Sequence, residues 1–194
     1  MKPFNAARTN PHGSVGFICL LLVLLTAMAP AFLARAGDAA PSEYQVKAVF
    51  LYHFTKFVEW PAGAGDKKSF VVGVVGRDPF GAELEKALDG KSVDGRPFVV
   101  RRFKQTGDVQ FCNLLFVGDS ELDRFPRLLG RLNEWNTLTV SDVDGFLQQG
   151  GAINFLIEGE KVRFEINPKA AERAGLKISS QLMKVAKAIR PDHR

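Results

Sequence analysis

Cysteine and histidine are scarce in these 194 residues, with two of the first and three of the second. Cys19 lies in an apolar N-terminal run, so the rest of the chain carries Cys112 alone and cannot close an internal disulfide. Cys112 precedes the apolar run Leu114-Leu115-Phe116-Val117 and is expected to be a small buried hydrophobe. A zinc site needs three or four ligands at characteristic spacings, and no such His/Cys cluster is present. The chain also lacks Gly-x-Gly-x-x-Gly and a phosphate loop with its Lys-Ser or Lys-Thr, the usual nucleotide cradles. His53 and His193 are the histidines after residue 36, and no serine stands in a nucleophile-elbow context. No cofactor is therefore expected, and enzymatic activity is disfavoured by the empty catalytic inventory. Nor is there a strong charge of one sign. The 26 basic side chains exceed the 21 acidic ones by five, but Lys2, Arg8 and Arg35 lie in an acid-free stretch of 36 residues. The remainder is close to neutral, which leaves no electrostatic footprint for nucleic acid.

What is present begins with a targeting pattern. Lys2, Arg8 and His12 lead into an apolar stretch over residues 15–29, broken by Pro30 before Ala34-Arg35-Ala36. Residues 1–36 read as a secretory signal peptide cleaved near Ala36, which would make the protein exported. The competing reading is an uncleaved anchor over residues 15–33, against which Pro30 and the Ala34/Ala36 pair weigh. No later segment is long enough to span a bilayer. Residues 37–42 are small and polar, a flexible leader, and no linker divides residues 43–190, which read as one domain.

That domain opens with a helix from Ser42 to Trp60, capped by Ser42 and stopped by Pro61. Its apolar positions Val46, Val49, Phe50, Leu51, Phe54, Phe57 and Val58 cover an arc wider than that of an ordinary surface helix, so it must be covered on more than one side. The cover comes from its own domain or from a second subunit. Strands are expected at 70–75, 98–103, 114–117 and 138–140, alternating with helices at 80–88, 122–132 and 143–148, the last capped by Ser141. Residues 152–157 and 161–166 form a hairpin through Glu158-Gly159-Glu160, followed by a helical turn at 168–174 and a closing helix at 180–189. The fold class is α/β: a single-domain three-layer sandwich with a mixed, mainly parallel sheet, a C-terminal β-hairpin and flanking helices.

Two sets of residues could carry a site. Gly76-Arg77-Asp78, Gly118-Asp119-Ser120 and Ser141-Asp142 follow strands, where open α/β sheets bind ligands. They could hold a divalent cation or imitate a phosphoacceptor site, or they could simply cap the helices that follow. On the hairpin, alternation puts Arg163, Glu165 and Asn167 on one face and Val162, Phe164 and Ile166 on the other. Arg163 and Glu165 either pair with each other or line a groove for a partner or small ligand. Trp60 could add an aromatic wall or cap the core.

The stretch from Tyr44-Gln45-Val46-Lys47-Ala48-Val49 through Phe57-Val58-Glu59-Trp60-Pro61 resembles the opening of the YfiR-like family of exported bacterial regulators. The resemblance continues in Gly76-Arg77-Asp78-Pro79-Phe80-Gly81, Leu138-Thr139-Val140-Ser141-Asp142, Gly150-Gly151-Ala152-Ile153-Asn154-Phe155, Arg163-Phe164-Glu165-Ile166-Asn167 and Ala174-Gly175-Leu176-Lys177. It spans about residues 43–190. The resemblance implies a periplasmic protein without catalytic residues that represses an inner-membrane signalling enzyme, most simply a diguanylate cyclase. It would do so by binding that enzyme's periplasmic domain, lowering cyclic di-GMP and biofilm formation. It also implies a homodimer, a possible small-molecule signal, and a partner- or ligand-contacting surface on Trp60, Asn154, Arg163, Glu165 and Lys177. Some relatives carry disulfides that make release redox-dependent, which Cys112 alone cannot provide. The alternative reading is a single-lobe periplasmic small-molecule-binding sensor that uses the loops after Val75, Val117 and Val140.

Overall fold

Strands read as unbroken apolar runs must be covered on both faces, and the computed structural model, which describes residues 40–63 and 68–190, covers them. In chain order the elements are α1 (Glu43–Phe57), β1 (Val58–Glu59), β2 (Phe70–Val75), α2 (Glu83–Leu88), β3 (Ser92–Val93), β4 (Arg96–Phe103) and β5 (Leu114–Val117). They continue with α3 (Leu129–Glu134), β6 (Leu138–Ser141), β7 (Ile153–Glu158), β8 (Lys161–Ile166), α4 (Pro168–Arg173), β9 (Lys177–Ile178), α5 (Ser180–Val185) and β10 (Ala188–Ile189). Eight strands form one sheet in the order β10-β8-β7-β6-β5-β2-β4-β3, while β1 and β9 pair separately. The centre from β7 to β4 is parallel, and β7–β8 and β3–β4 are antiparallel.

Alternate residues of one strand serve two cores. Val72, Val74, Leu114 and Phe116 face α1, meeting Ala48, Leu51 and Phe54 together with Ala170, Ala171 and Leu182. Val71, Val75, Leu115 and Val117 face the opposite layer of Phe125, Leu128, Leu132 and Phe146. Each fully buried Leu or Phe contributes about 1.5–3 kcal/mol, so the sandwich rests on its apolar layers. Cys112 is among these buried residues, as its neighbours foretold, and burial pushes its thiol up to about 12. The described residues from Pro41 onward form one compact unit. The expected export segment over 1–36, and residues 37–39 of the 37–42 leader, lie outside the described residues.

Several elements differ from expectation. The single helix at 122–132 is a 3-10 stretch over Asp119–Arg127 followed by α3, because Pro126 inside it has no N–H to donate. The expected helix at 143–148 is a run of turns; Ser141 Oγ does accept from Val143 N at 3.2 Å, but Gly145 at φ 85 breaks the spiral. The closing helix ends at Val185, and Ala188–Ile189 instead adds a parallel strand to β8. α1 stops at Phe57, since Val58 is already extended and pairs with Ile178. Asp94 and Gly95, at φ 50 and 77, make the unforeseen two-residue turn between β3 and β4.

Candidate functional site

The first turn of α1 is fixed by a reciprocal cap. Ser42 Oγ accepts from Gln45 N at 3.3 Å and Gln45 Oε1 accepts from Ser42 N at 2.8 Å. This turn faces the tip of the β7–β8 hairpin across a groove of about 500 Å³. Pro41, Glu43, Val46 and Phe50 form one wall; Ile157, Val162 and Arg163 belong to the other. Phe50 rests on Phe155 and Phe164, with ring centroids 6.0 and 5.6 Å away. Val49 and Ile157 each remain 47% exposed. The wide apolar arc of α1 is therefore covered mainly within its own domain, and its outermost part is left open beside the hairpin.

The residues singled out in the sequence fall into two groups. Asn154 and Glu165 are cross-strand partners on β7 and β8, and Arg163 faces Leu156 two positions away. Arg163 and Glu165 do not pair with each other. Glu165 accepts from Arg190 Nε and Nη2 at 2.6 and 2.7 Å, while Arg163 stands 3.8 Å from Glu158. Asn154 is buried, and its Oδ1 has no hydrogen-bond partner among the described residues. Trp60 and Lys177 form the second group, around the β1–β9 pair. Trp60 is half-buried and meets Phe70 edge-on at 5.1 Å, so it caps the core; Lys177 is exposed and 4.0 Å from Glu59. Arg190 was missed. Only the strand register of Ala188 opposite Glu165 brings it there, and that segment reads as helix.

The acidic loops at the carboxyl ends of the strands are occupied by their own chain. Asp78 accepts from Phe80 N at 2.8 Å, the local turn-capping role, and from Arg102 Nε at 2.6 Å. Arg102 also reaches Glu85 and the Gly81 carbonyl; its hydrogen bonds hold the Glu85 carboxyl below the usual carboxylate range. Arg77 pairs with Asp119 at 2.8 Å. Asp142 lies 2.6 Å from the buried Lys47 Nζ and accepts from Tyr44 Oη at 3.0 Å. Burial, then the charge of Asp142, pushes the Tyr44 hydroxyl up to about 12. Among the described residues no group of three His, Cys, Asp or Glu side chains is placed to hold a metal ion. Nor, among them, is any helix long and apolar enough to cross a membrane.

The YfiR/HmsC-like family, DUF4154, matches residues 44–187, from the first turn of α1 to the entry of β10. The chain belongs to this family. YfiR/HmsC-like proteins are periplasmic regulators in cyclic di-GMP signalling, and they are not enzymes. No curated protein matches the chain significantly. Among solved structures it is similar to a conserved domain protein from Vibrio cholerae O1 biovar El Tor strain N16961, with 13% identity and a TM-score of 0.52 over 77% of this chain and 60% of that one. It is also similar to the ABC domain in complex with L-Trp from Streptococcus pneumonia, with 13% identity and a TM-score of 0.51 over 76% of this chain and 60% of the other. Both likenesses show the α/β fold, and this YfiR/HmsC-like chain is matched to about three fifths of each neighbour's length.

Proposed function

We propose that this protein is a periplasmic inhibitory binding protein, exported by cleavage near Ala36 and acting through its domain over residues 43–190. It grips the periplasmic domain of a membrane-bound diguanylate cyclase or related sensor and holds the enzyme inactive, lowering cyclic di-GMP and biofilm formation. Membership of the YfiR/HmsC-like family over residues 44–187 carries this reading. The open groove beside the hairpin supports it, because an apolar floor with a charged rim suits a protein contact. Arg163 stands at that groove, with Asn154 and Glu165 on the same hairpin; Trp60 and Lys177 supply a second patch. The active form is a homodimer. Deleting the gene raises cyclic di-GMP, and the protein co-purifies with a membrane diguanylate cyclase; an unchanged cyclic di-GMP level in the deletion strain refutes the repressor reading.

A second reading, a single-lobe small-molecule sensor, is favoured by the groove's volume, which lies in the range of ligand pockets. The loops after β2, β5 and β6 no longer support it, because their charges are paired within the chain. A thermal-shift screen with amino acids, nucleotides and metal ions tests it. Absence of stabilisation removes this reading and leaves the first untouched.

A further inference from the structure

β4 is the penultimate strand of the sheet, yet for most of its length no strand lies beyond it among the described residues. Its outer neighbour β3 has two residues and pairs only at Pro97 and Arg96. The Phe103 carbonyl accepts from Gly76 N at 3.0 Å, so Phe103 turns its backbone groups towards β2. By the two-residue period Arg101 and Val99 do the same. The Ser92–Pro97 pairing, in which proline has no N–H to give, engages the Phe98 amide with Lys91, and Val100 and Arg102 are left with N–H and C=O directed at the free edge. No backbone partner meets these groups among the described residues. Sheets protect such an edge by covering or shortening it, or by placing proline and charge along it, as Pro97 and the arginines of β4 do. Here a groove of about 510 Å³ runs beside it, floored by Leu88, Phe98 and Val100 and reaching Glu85 and Lys91.

The two faces of this edge differ in chemistry. Towards α2 it is concave, with an apolar floor of Leu88, Phe98 and Val100 rimmed by Glu85, Asp89 and Lys91, and Phe98 packs on Phe70 at 5.3 Å. On the opposite face Val99 is 39% exposed and Arg101 is exposed without an ion pair among the described residues. Lys104, just beyond the strand, is likewise exposed and unpaired among them. Arg102, by contrast, is saturated by Asp78, Glu85 and the Gly81 carbonyl.

We infer that the free edge of β4 is a strand-addition site for an extended segment of a protein partner, one that alternates apolar residues with acidic ones. Its backbone pairs with Val100 and Arg102. One set of its side chains fills the groove against Leu88 and Val100, and the other sets carboxylates beside Arg101. The inference rests on the reading that this protein acts by binding another protein, and is independent of which protein that is.

Hydrogen exchange of the Val100 and Arg102 amides is measured on the purified protein with the peptide acetyl-Glu-Val-Glu-Val-Glu-Val-amide, and with its Lys-Val counterpart. The Glu-Val peptide slows exchange at these amides about tenfold at saturation, and the Lys-Val peptide does not. Val100→Pro removes one edge donor without touching the β2 ladder and abolishes the slowing. Arg101→Glu reverses the preference between the peptides, and it keeps the test decisive if the proline variant fails to fold. Unchanged exchange with both peptides, or equal slowing by both, overturns the inference: the edge is then merely guarded by Pro97 and its arginines. Cyclic di-GMP in the deletion strain decides the repressor reading separately, so the two failures are distinguishable.

Discussion

Lys47 is almost fully buried, its ammonium set 2.6 Å from Asp142 and 2.5 Å from Glu43. Removing one partner of a buried ion pair typically costs about 3–5 kcal/mol, because the other charge is stranded away from water. Asp142→Ala falls near the low end, about 3 kcal/mol, since Glu43 still touches the ammonium from a more exposed position. At about 3 °C per kcal/mol for a domain of this size, the midpoint of thermal unfolding drops by about 9 °C. Lys47→Met keeps the length and apolar contacts of the stem but strands the Asp142 carboxylate, only 15% exposed though still accepting from Tyr44, and costs about 3 kcal/mol as well. The double variant loses the pair and the hydrogen bond from Tyr44, worth about 1 kcal/mol, but strands no charge. It is therefore more stable than Asp142→Ala alone. Guanidinium melts of the three variants read this order directly. A double variant less stable than Asp142→Ala shows that packing, and not charge burial, sets the energetics of the cluster.

Gly118→Ala places a Cβ 2.6 Å from the Arg77 carbonyl oxygen; as backbone cannot yield, the change costs about 2–3 kcal/mol. Gly130→Ala, in α3 with open space around it, stabilises by about 0.5–1 kcal/mol in the same melts. Burial raises Cys112 and Tyr44 to about 12 each. A raised folded value means that the native state holds the proton more tightly, so stability present below pH 9 for the thiol and 10 for the phenol is lost as pH rises to 12. Tyr44→Phe flattens the part of the decline between 10 and 12, and a thiol reagent labels Cys112 only in denaturant. Arg190→Ala frees β10 from Glu165, and exchange of the Lys187 amide, bonded to the Phe164 carbonyl, quickens.

The central strands were legible because their apolar runs have to be buried twice, and Ser42 and Gly159 marked the start of α1 and the turn of the hairpin. Segments 122–132 and 180–189 misled for different reasons. In the first, Leu122, Phe125, Leu128, Leu129 and Leu132 keep helical spacing, but Pro126 imposes the tighter winding. In the second, helix-favouring residues give way to the unpaired edge of β8, which gains backbone hydrogen bonds from Lys187 and Arg190. Asp94-Gly95 was a readable turn signal, hidden because the strand before it has only two residues. At the site, Glu165 stood out from the alternation along the hairpin and Asn154 from the resemblance, whereas Lys47 and Asp142 lie 95 residues apart and meet only in the folded chain.

The order of strands in the sheet also governs how the molecule is made. β2 sits between β5 and β4, and the Val71 amide must find the Asn113 side chain 42 positions along the chain. Among the described strand pairings, only β7–β8 and β3–β4 close over a short loop. A topology so dominated by distant contacts acquires its native structure slowly, since loop entropy is lost before the sheet repays it. For a family that works in the periplasm this delay is useful. In a polypeptide threaded through a narrow translocation channel, which has to remain extended until it emerges, the β5–β6 pairing could not form before Ser141 had arrived.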